Sequence, residues 1–398
     1  MVRRRLIQVT TSPPARLVAL SDAQEHNPFS MDGVQIVFVA VVATRFILPL
    51  FIPRYPLPAI IGCLVVDAAD QSIFQAFGYD PPGYQSYDKA MDVFYLAIAY
   101  LATLRNWEAL AAYRVAQFLY FYRLVGVVAF ELSGVRALLL VFPNTFEYFF
   151  IAYEAIRTRW APAAYALRWW VVTAGLIWVF VKLPQEWWIH VAQLDVTDFL
   201  AEHSWATPLL VALILAGLAV FWFVIKPRLR APDHAWQFAA VPMPEPMDTA
   251  AEMSAWRATH GRVRSFQTLE KVVLLGLLSV IFSQSLPGVR ASNFDLFVGV
   301  AAVVVVNTVI TLAVARRGSS VESVAIQFGS RLLLNLAIVV AGDWLLGLDG
   351  GSIDQGDTFF FLMLISLITT LHDRYTPVLE YRQEEAAGTA PATGKSGE

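Results

Sequence analysis

The sequence predicts an all-α fold: a polytopic integral membrane bundle of about eleven transmembrane helices with one interfacial amphipathic helix. Two observations carry that expectation. Of 398 residues, 57% are hydrophobic and only 15% charged, with 12 Trp, 27 Phe and 14 Tyr, far from the average of a soluble chain. The apolar residues also gather into runs close to the roughly 20 that a helix needs to cross hydrocarbon, separated by turns rich in proline, glycine and charge. Composition narrows function as well. A net charge of −3 gives no footprint for nucleic acid, and a single cysteine, Cys63, excludes an internal disulfide. The six histidines fall in loops or at segment ends, whereas a bis-histidine haem needs them inside facing helices.

Residues 1–32 are basic, then polar, and lack the apolar core of a cleaved signal peptide. The first apolar segment, Gly33 to Ile52, carries Arg45 and is ended by Pro53, Pro56 and Pro58. The second, Leu57 to Gly78, turns polar halfway, and a 3.6-residue period sets Asp67, Asp70, Gln71 and Gln75 on one face. After the turn YDPPGYQSY the third runs from Tyr87 to Asn106, with Asp88 and Asp92 one turn apart at its start. The fourth, Glu108 to Glu131, spreads Tyr113, Arg114, Gln117, Tyr120 and Arg123 over about half its circumference. The fifth, Val135 to Ile156, groups Asn144, Glu147, Tyr148 and Glu154 on one side and places Pro143 at an expected kink.

Trp169 to Val181 is the sixth segment. Pro184 to His203 is too polar to span, and its Trp187, Trp188, Val191 and Leu194 alternate with acids as in a helix lying at the membrane surface. Asp195, Asp198 and Glu202 there could bind a divalent cation but fit a solvated polar face better. The seventh segment, Pro208 to Ile225, closes a front bundle, 33–225. A polar stretch with three closely spaced prolines, 226–271, reads as a cytoplasmic linker. The back bundle, 272–375, has segments at 272–286, 294–314, 324–346 and 358–372, interrupted by Arg331, Asn335 and Asp343, which are expected to pair structurally. A tail, 376–398, is expected to be disordered. Lysine and arginine near segment ends put the linker and C-terminus in the cytoplasm of a multi-pass cell-membrane protein, although Arg3, Arg4 and Arg5 then fall outside.

Four aspartates, Asp67, Asp70, Asp88 and Asp92, therefore stand where two apolar segments meet. In hydrocarbon a carboxylate is costly unless it is paired, protonated, bound to metal or wetted by a cavity, so the cluster is the candidate site. Arg45, Arg114, Arg123, Asn144 and Glu147 are the other polar groups inside these segments. Three readings fit them: a cavity in which protonation or cation binding drives transport, a divalent-cation site acting on a lipid or polyprenyl head group, or buried charge pairs that fix packing. The partners expected are the lipid bilayer and a small molecule or ion. No phosphate-binding GxxxxGK[ST], no HExxH and no GxSxG occurs.

The spacing of Asp67, Asp70, Asp88 and Asp92 is similar to the four-aspartate pattern of the CDP-alcohol phosphotransferases, and so is their placement on a second and a third helix. That resemblance implies divalent metals held by the four carboxylates against a CDP-lipid. It covers about 26 residues. Gln71 stands where that family has glycine, Phe74 and Gln75 where it has alanine and arginine, and Tyr84 replaces a later glycine beside Gly83. The family's glycines let a nucleotide approach the backbone, which these side chains obstruct.

Overall fold

The computed structural model describes residues 33–77, 84–192, 199–200, 202–285, 293–321, 323–346 and 355–388. The basic N-terminal segment, the prolines of the YDPPGYQSY turn, Asp195, Asp198, the Asp343 side chain and the last ten residues lie outside the described part. Every element within it is helical: α1 (Gly33–Ile47), α2 (Pro56–Ala76), α3 (Tyr84–Asn106), α4 (Leu110–Ser133), α5 (Ala137–Val141), α6 (Thr145–Arg157) and α7 (Leu167–Ile177). Then follow α8 (Ala206–Val220), α9 (Ala250–His260), α10 (Phe266–Ser285), α11 (Asn293–Arg316), α12 (Val324–Leu346) and α13 (Gln355–Ala386). Among the described residues, six helical stretches are long and apolar enough to cross a membrane: Pro56–Phe74, Leu110–Ser133, Leu167–Ile189, Ala206–Arg228, Phe266–Gln284 and Leu296–Arg316. Ile36–Phe51 and Val324–Val340 are apolar but shorter. The chain is thus a helical protein built for a membrane, and six of the expected eleven segments meet the criterion of length and composition.

At the centre stands α3. All its residues from Val93 to Leu104 are buried, and α1, α2, α4, α10 and α13 pack around it. Ala97, Ala99 and Ala102 carry no bulk past Cβ, which lets neighbours approach on several sides. The front and back bundles therefore share one core, in which Phe94 and Tyr100 of α3 join Leu274 and Phe282 of α10 and Ile365 of α13. Arg382 of α13 donates to the Arg105 carbonyl at the end of α3 (2.6 Å). In contrast, α8 is exposed nearly all round, as a uniformly apolar helix facing lipid must be.

Proline chemistry explains where the segments differ from expectation. The fifth segment is two helices, α5 and α6, because Pro143 lacks an N–H and disfavours helical geometry at Phe142, which has ψ 65°. The segment expected to lie separately at the membrane surface instead continues α7 through a π turn at Trp178–Lys182, an α turn at Leu183–Glu186 and a second π turn at Trp187–Val191. Pro184 sits in that path, where a strict α ladder would miss one donor. The stretch expected as a linker holds α9, capped by a reciprocal box between Thr249 and Glu252. Through Pro377, α13 runs on to Ala386, so residues 376–386 are helix rather than tail. His372, expected at a segment end, is consequently buried inside α13.

Gly126 of α4 marks a close approach in the front bundle: a Cβ there would lie 2.1 Å from Cβ of Phe142. That neighbour is fixed to the backbone and cannot swing aside. Gly126→Ala is expected to destabilise the purified protein by about 1–3 kcal/mol through overpacking. Gly175→Ala in α7 meets nothing within 4 Å and is expected to leave the melting temperature unchanged or slightly raised. Thermal melts of the two variants side by side check this.

Candidate functional site

Arg45 lies in the last turn of α1, with its side chain only 4% exposed. Its guanidinium reaches all four aspartates. Nη1 donates to Asp70 Oδ2 (2.5 Å) and to Asp88, while Nη2 donates to Asp92 Oδ1 (2.6 Å) and to Asp67. One planar fork thus ties α1 to α2 and α3, which ammonium geometry would not reproduce. Asp70 also accepts from the backbone N–H of Gln71 (2.5 Å), and its side chain is 4% exposed. The other three keep 31–40% of their side chains accessible, so the cluster is closed at Asp70 and open at Asp67, Asp88 and Asp92.

Four carboxylates against one guanidinium leave three formal negative charges in excess. A cation, protons or water must offset that excess. Ligand oxygens of Asp67, Asp70 and Asp88 lie within 4.8 Å of one another, a donor set that suits a hard divalent cation. Asp92, also a candidate ligand in the four-aspartate pattern, is not part of that close group.

The depth of the cluster follows from helix geometry. At one face, Asn106 at the end of α3 donates to the Pro53 carbonyl (3.1 Å), and Ala240 of the 226–271 stretch donates to the Arg54 carbonyl (2.8 Å). With a rise of about 1.5 Å per residue, Asp67 and Asp70 lie about 17–21 Å along α2 from that face, and Asp92 and Asp88 about 21–27 Å along α3. The carboxylates therefore sit in the half of the bundle remote from the 226–271 stretch. Towards that stretch the way is filled by aromatic side chains. Tyr100 and Tyr120 stack at 4.5 Å with an interplanar angle of 1°, and Phe146 meets Tyr120 edge-on at 5.2 Å.

Sideways from the cluster, Asp92 lines a small cavity of about 60 Å³ together with Tyr95, Tyr120, Arg123 and Asn144. Arg123 donates to the Phe142 carbonyl (2.9 Å), which the α5–α6 break has released from helical bonding. Asn144 is the N-cap residue of α6; its amide donates to Glu147 Oε2 (2.8 Å) and its backbone N–H to Glu186 Oε1 (3.2 Å). Tyr95 donates to the other oxygen of the buried Glu147. Glu186 pairs with Lys182 (3.3 Å), both buried, and Lys182 also lies over the Tyr148 ring. A run of polar groups thus leads from Asp92 past Arg123 and Asn144 to Glu147, Glu186 and Lys182.

The structure brings Arg45 and the four aspartates together and places Arg123, Asn144 and Glu147 beside them. Arg114 does not join: it is exposed on α4, lining a surface hollow with Gln117, Phe118 and Glu270. Arg331 and Asn335 do not pair with each other. Arg331 bonds Asp373 (2.7 Å), and Asn335 accepts from Asn307 (2.8 Å) and donates to Ser366 (2.9 Å). Sequence reasoning missed Tyr95, Lys182 and Glu186. The first lies one helical turn after Asp92, and the other two have the i, i+4 spacing of a helical ion pair, which is the signal that reveals them. The chain matches no family model, and no curated protein and no solved structure matches it. The likeness to the CDP-alcohol phosphotransferase pattern therefore rests on the four carboxylates alone.

Arg45→Gln is expected to destabilise the protein by about 3–5 kcal/mol, because it leaves the buried Asp70 without its cation. Millimolar Mg²⁺ or Mn²⁺ is expected to restore part of the loss by occupying the vacated centre of the carboxylates. Melting curves with and without the cation check both statements.

Proposed function

We propose that the front bundle is the ion-handling part of a proton- or cation-coupled membrane transporter, with the carboxylate cluster as its entry site. The observation that carries this reading is that Asp92 belongs both to the Arg45 cluster and to the cavity shared with Arg123 and Asn144. A cavity of about 60 Å³ suits a few waters or a desolvated cation and is too small for a lipid head group. Its polar lining continues to Glu147, Glu186 and Lys182, groups that can pass a proton or hold an ion within the membrane. The stacked Tyr100 and Tyr120 close the route on the far side, as alternating access requires of one of its states.

In this reading α1, α3, α6, α12 and α13 cross the membrane beside the six long apolar stretches, giving eleven crossings in all. Their alternation puts the 226–271 stretch, the α11–α12 turn with Arg316 and Arg317, and the C-terminal end of α13 on one side. That side carries the lysine and arginine excess and is the cytoplasmic one by the positive-inside rule. The carboxylates then open outward in a multi-pass protein of the cell membrane.

A second reading rests on the clustered oxygens of Asp67, Asp70 and Asp88: a divalent-cation site acting on a phosphorylated head group at the outer leaflet. Proteoliposomes with an enclosed pH-sensitive dye separate the two. Asp92→Asn is expected to abolish ion-coupled pH change while lowering the melting temperature only slightly, because the amide keeps the shape and removes the titration. Wild-type flux in that variant, or no flux in the wild type, would overturn the transport reading. Absent flux together with saturable Mn²⁺ binding lost in Asp70→Asn would favour the enzyme.

A further inference from the structure

A second polar centre lies at the other end of the molecule, around Asp373 in α13. Its carboxylate bonds Lys271 of α10 through Oδ1 and Arg331 of α12 through Oδ2, each at 2.7 Å. Arg257 of α9 donates to the Asp373 backbone carbonyl. That carbonyl is free because Pro377, four residues on, has no N–H to offer it. Three cations from three helices therefore converge on one residue.

Two hollows flank this centre, and Arg257 and Asp373 line both. Arg262 lines the smaller hollow with Lys271, Glu380 and the neutral side chains Thr268 and Thr376. The larger one, about 250 Å³, has Arg257 and Arg331 on its walls with Ser254, Asn307, Thr311 and Ser320. The larger hollow has Arg257 and Arg331 against Asp373, an excess of one positive charge, and the smaller adds Arg262 and Lys271 against Glu380, besides His372. Glu380 is further engaged by Trp256, whose indole N–H donates to it (3.1 Å). Within the larger hollow Arg331 uses Nη2 for Asp373 and Thr311, while its buried Nη1 has no hydrogen-bond partner. A buried guanidinium N–H without an acceptor is costly, so an anion that the Arg331 fork can meet would be favoured here.

We infer that the larger hollow, walled by Arg257, Arg331, Thr311 and Ser320, binds a phosphate-bearing anion. Excess positive charge, a guanidinium with a spare donor and several hydroxyls match the chemistry of phosphate, which takes many hydrogen bonds and prefers arginine forks. The hollow opens at Ser319, Ser320 and Val321 between α11 and α12, all exposed. That turn belongs to the face of the 226–271 stretch, where both a phosphomonoester lipid head group and a soluble phosphate would have access. The inference concerns a site remote from Asp92 and does not depend on transport or catalysis at the carboxylate cluster.

The test uses the full chain in nanodiscs of phosphatidylcholine. One arm titrates inorganic phosphate by calorimetry, and the other exchanges the protein into nanodiscs containing phosphatidic acid and measures bound lipid by native mass spectrometry. Saturable binding in either arm is expected, and the arm in which it occurs names the source. Arg331→Gln should weaken it at least about tenfold, the loss expected for a charge-assisted hydrogen bond. Arg331 also holds Asp373, so a second variant guards against misfolding. Ser320→Glu sits exposed at the mouth, touches no ion pair of Asp373, and should abolish binding at an unchanged melting temperature. No saturable binding in either arm, or binding of wild-type strength in Ser320→Glu, would overturn the inference.

Discussion

A guanidinium buried among helices has to find negative charge, and Arg45 finds four carboxylates at once. Each terminal nitrogen is shared between an aspartate of α2 and one of α3. The front bundle depends on this arrangement, because α2 and α3 place their acids against one another and would repel without a cation between them. Attraction inside a low-dielectric bundle is strong, yet burying the ions is costly, so the fork is worth more as a fixed register between α1, α2 and α3 than as net stability. Its excess of negative charge is also what sets the place apart from an ordinary ion pair. A neutral pair would be inert packing, whereas three uncompensated charges next to a cavity attract protons or cations.

The rest of the core works as insulation. Around α3 the aromatic rings of Tyr100, Tyr120, Phe146 and Phe150 fill the bundle on the side of the 226–271 stretch, and Trp107 stacks on Tyr153 at 3.7 Å. Several polar groups within that layer are bonded to one another: Trp107 and Arg157 both bond Glu154 (2.8 and 2.6 Å), and Tyr100 bonds Glu270, whereas the buried Tyr120 hydroxyl has no hydrogen-bond partner. None of these bonded sets touches the Asp92 cavity. The molecule thus keeps two charged centres apart, one acidic and one basic, with an aromatic layer between.

Much of the acidic centre was legible in the sequence because its signal is local. Asp67 and Asp70, or Asp88 and Asp92, share a helix face by spacing alone, and their cost in hydrocarbon marks them without any neighbour being known. Which arginine answers them was not legible, since periodicity assigns a face and not what the face meets: Arg45 and Arg114 looked equivalent, and only Arg45 turns inward. Lys182 and Glu186 were hidden for a related reason. Their segment averages to an interfacial composition, although each is buried by the continuation of α7. The basic centre was missed because Arg257, Lys271, Arg331 and Asp373 are far apart in sequence and meet only in the folded chain. The extension of α13 was hidden by Pro377 and by its charged residues. Its Val378 and Tyr381 are buried against Met253 and Trp256 of α9, so tertiary packing supplies what composition withheld.

The central claim, that one guanidinium organises the acidic site, is tested most directly by a double-mutant cycle. Reversible unfolding in mixed micelles would be measured for wild type, Arg45→Gln, Asp70→Asn and the double variant. If Arg45 and Asp70 act as a buried pair, the double variant is less destabilised than the sum of the single ones, with a coupling of at least about 1 kcal/mol. Single-variant losses that add to within about 0.5 kcal/mol would contradict the account, since additivity is the behaviour of sites that do not interact.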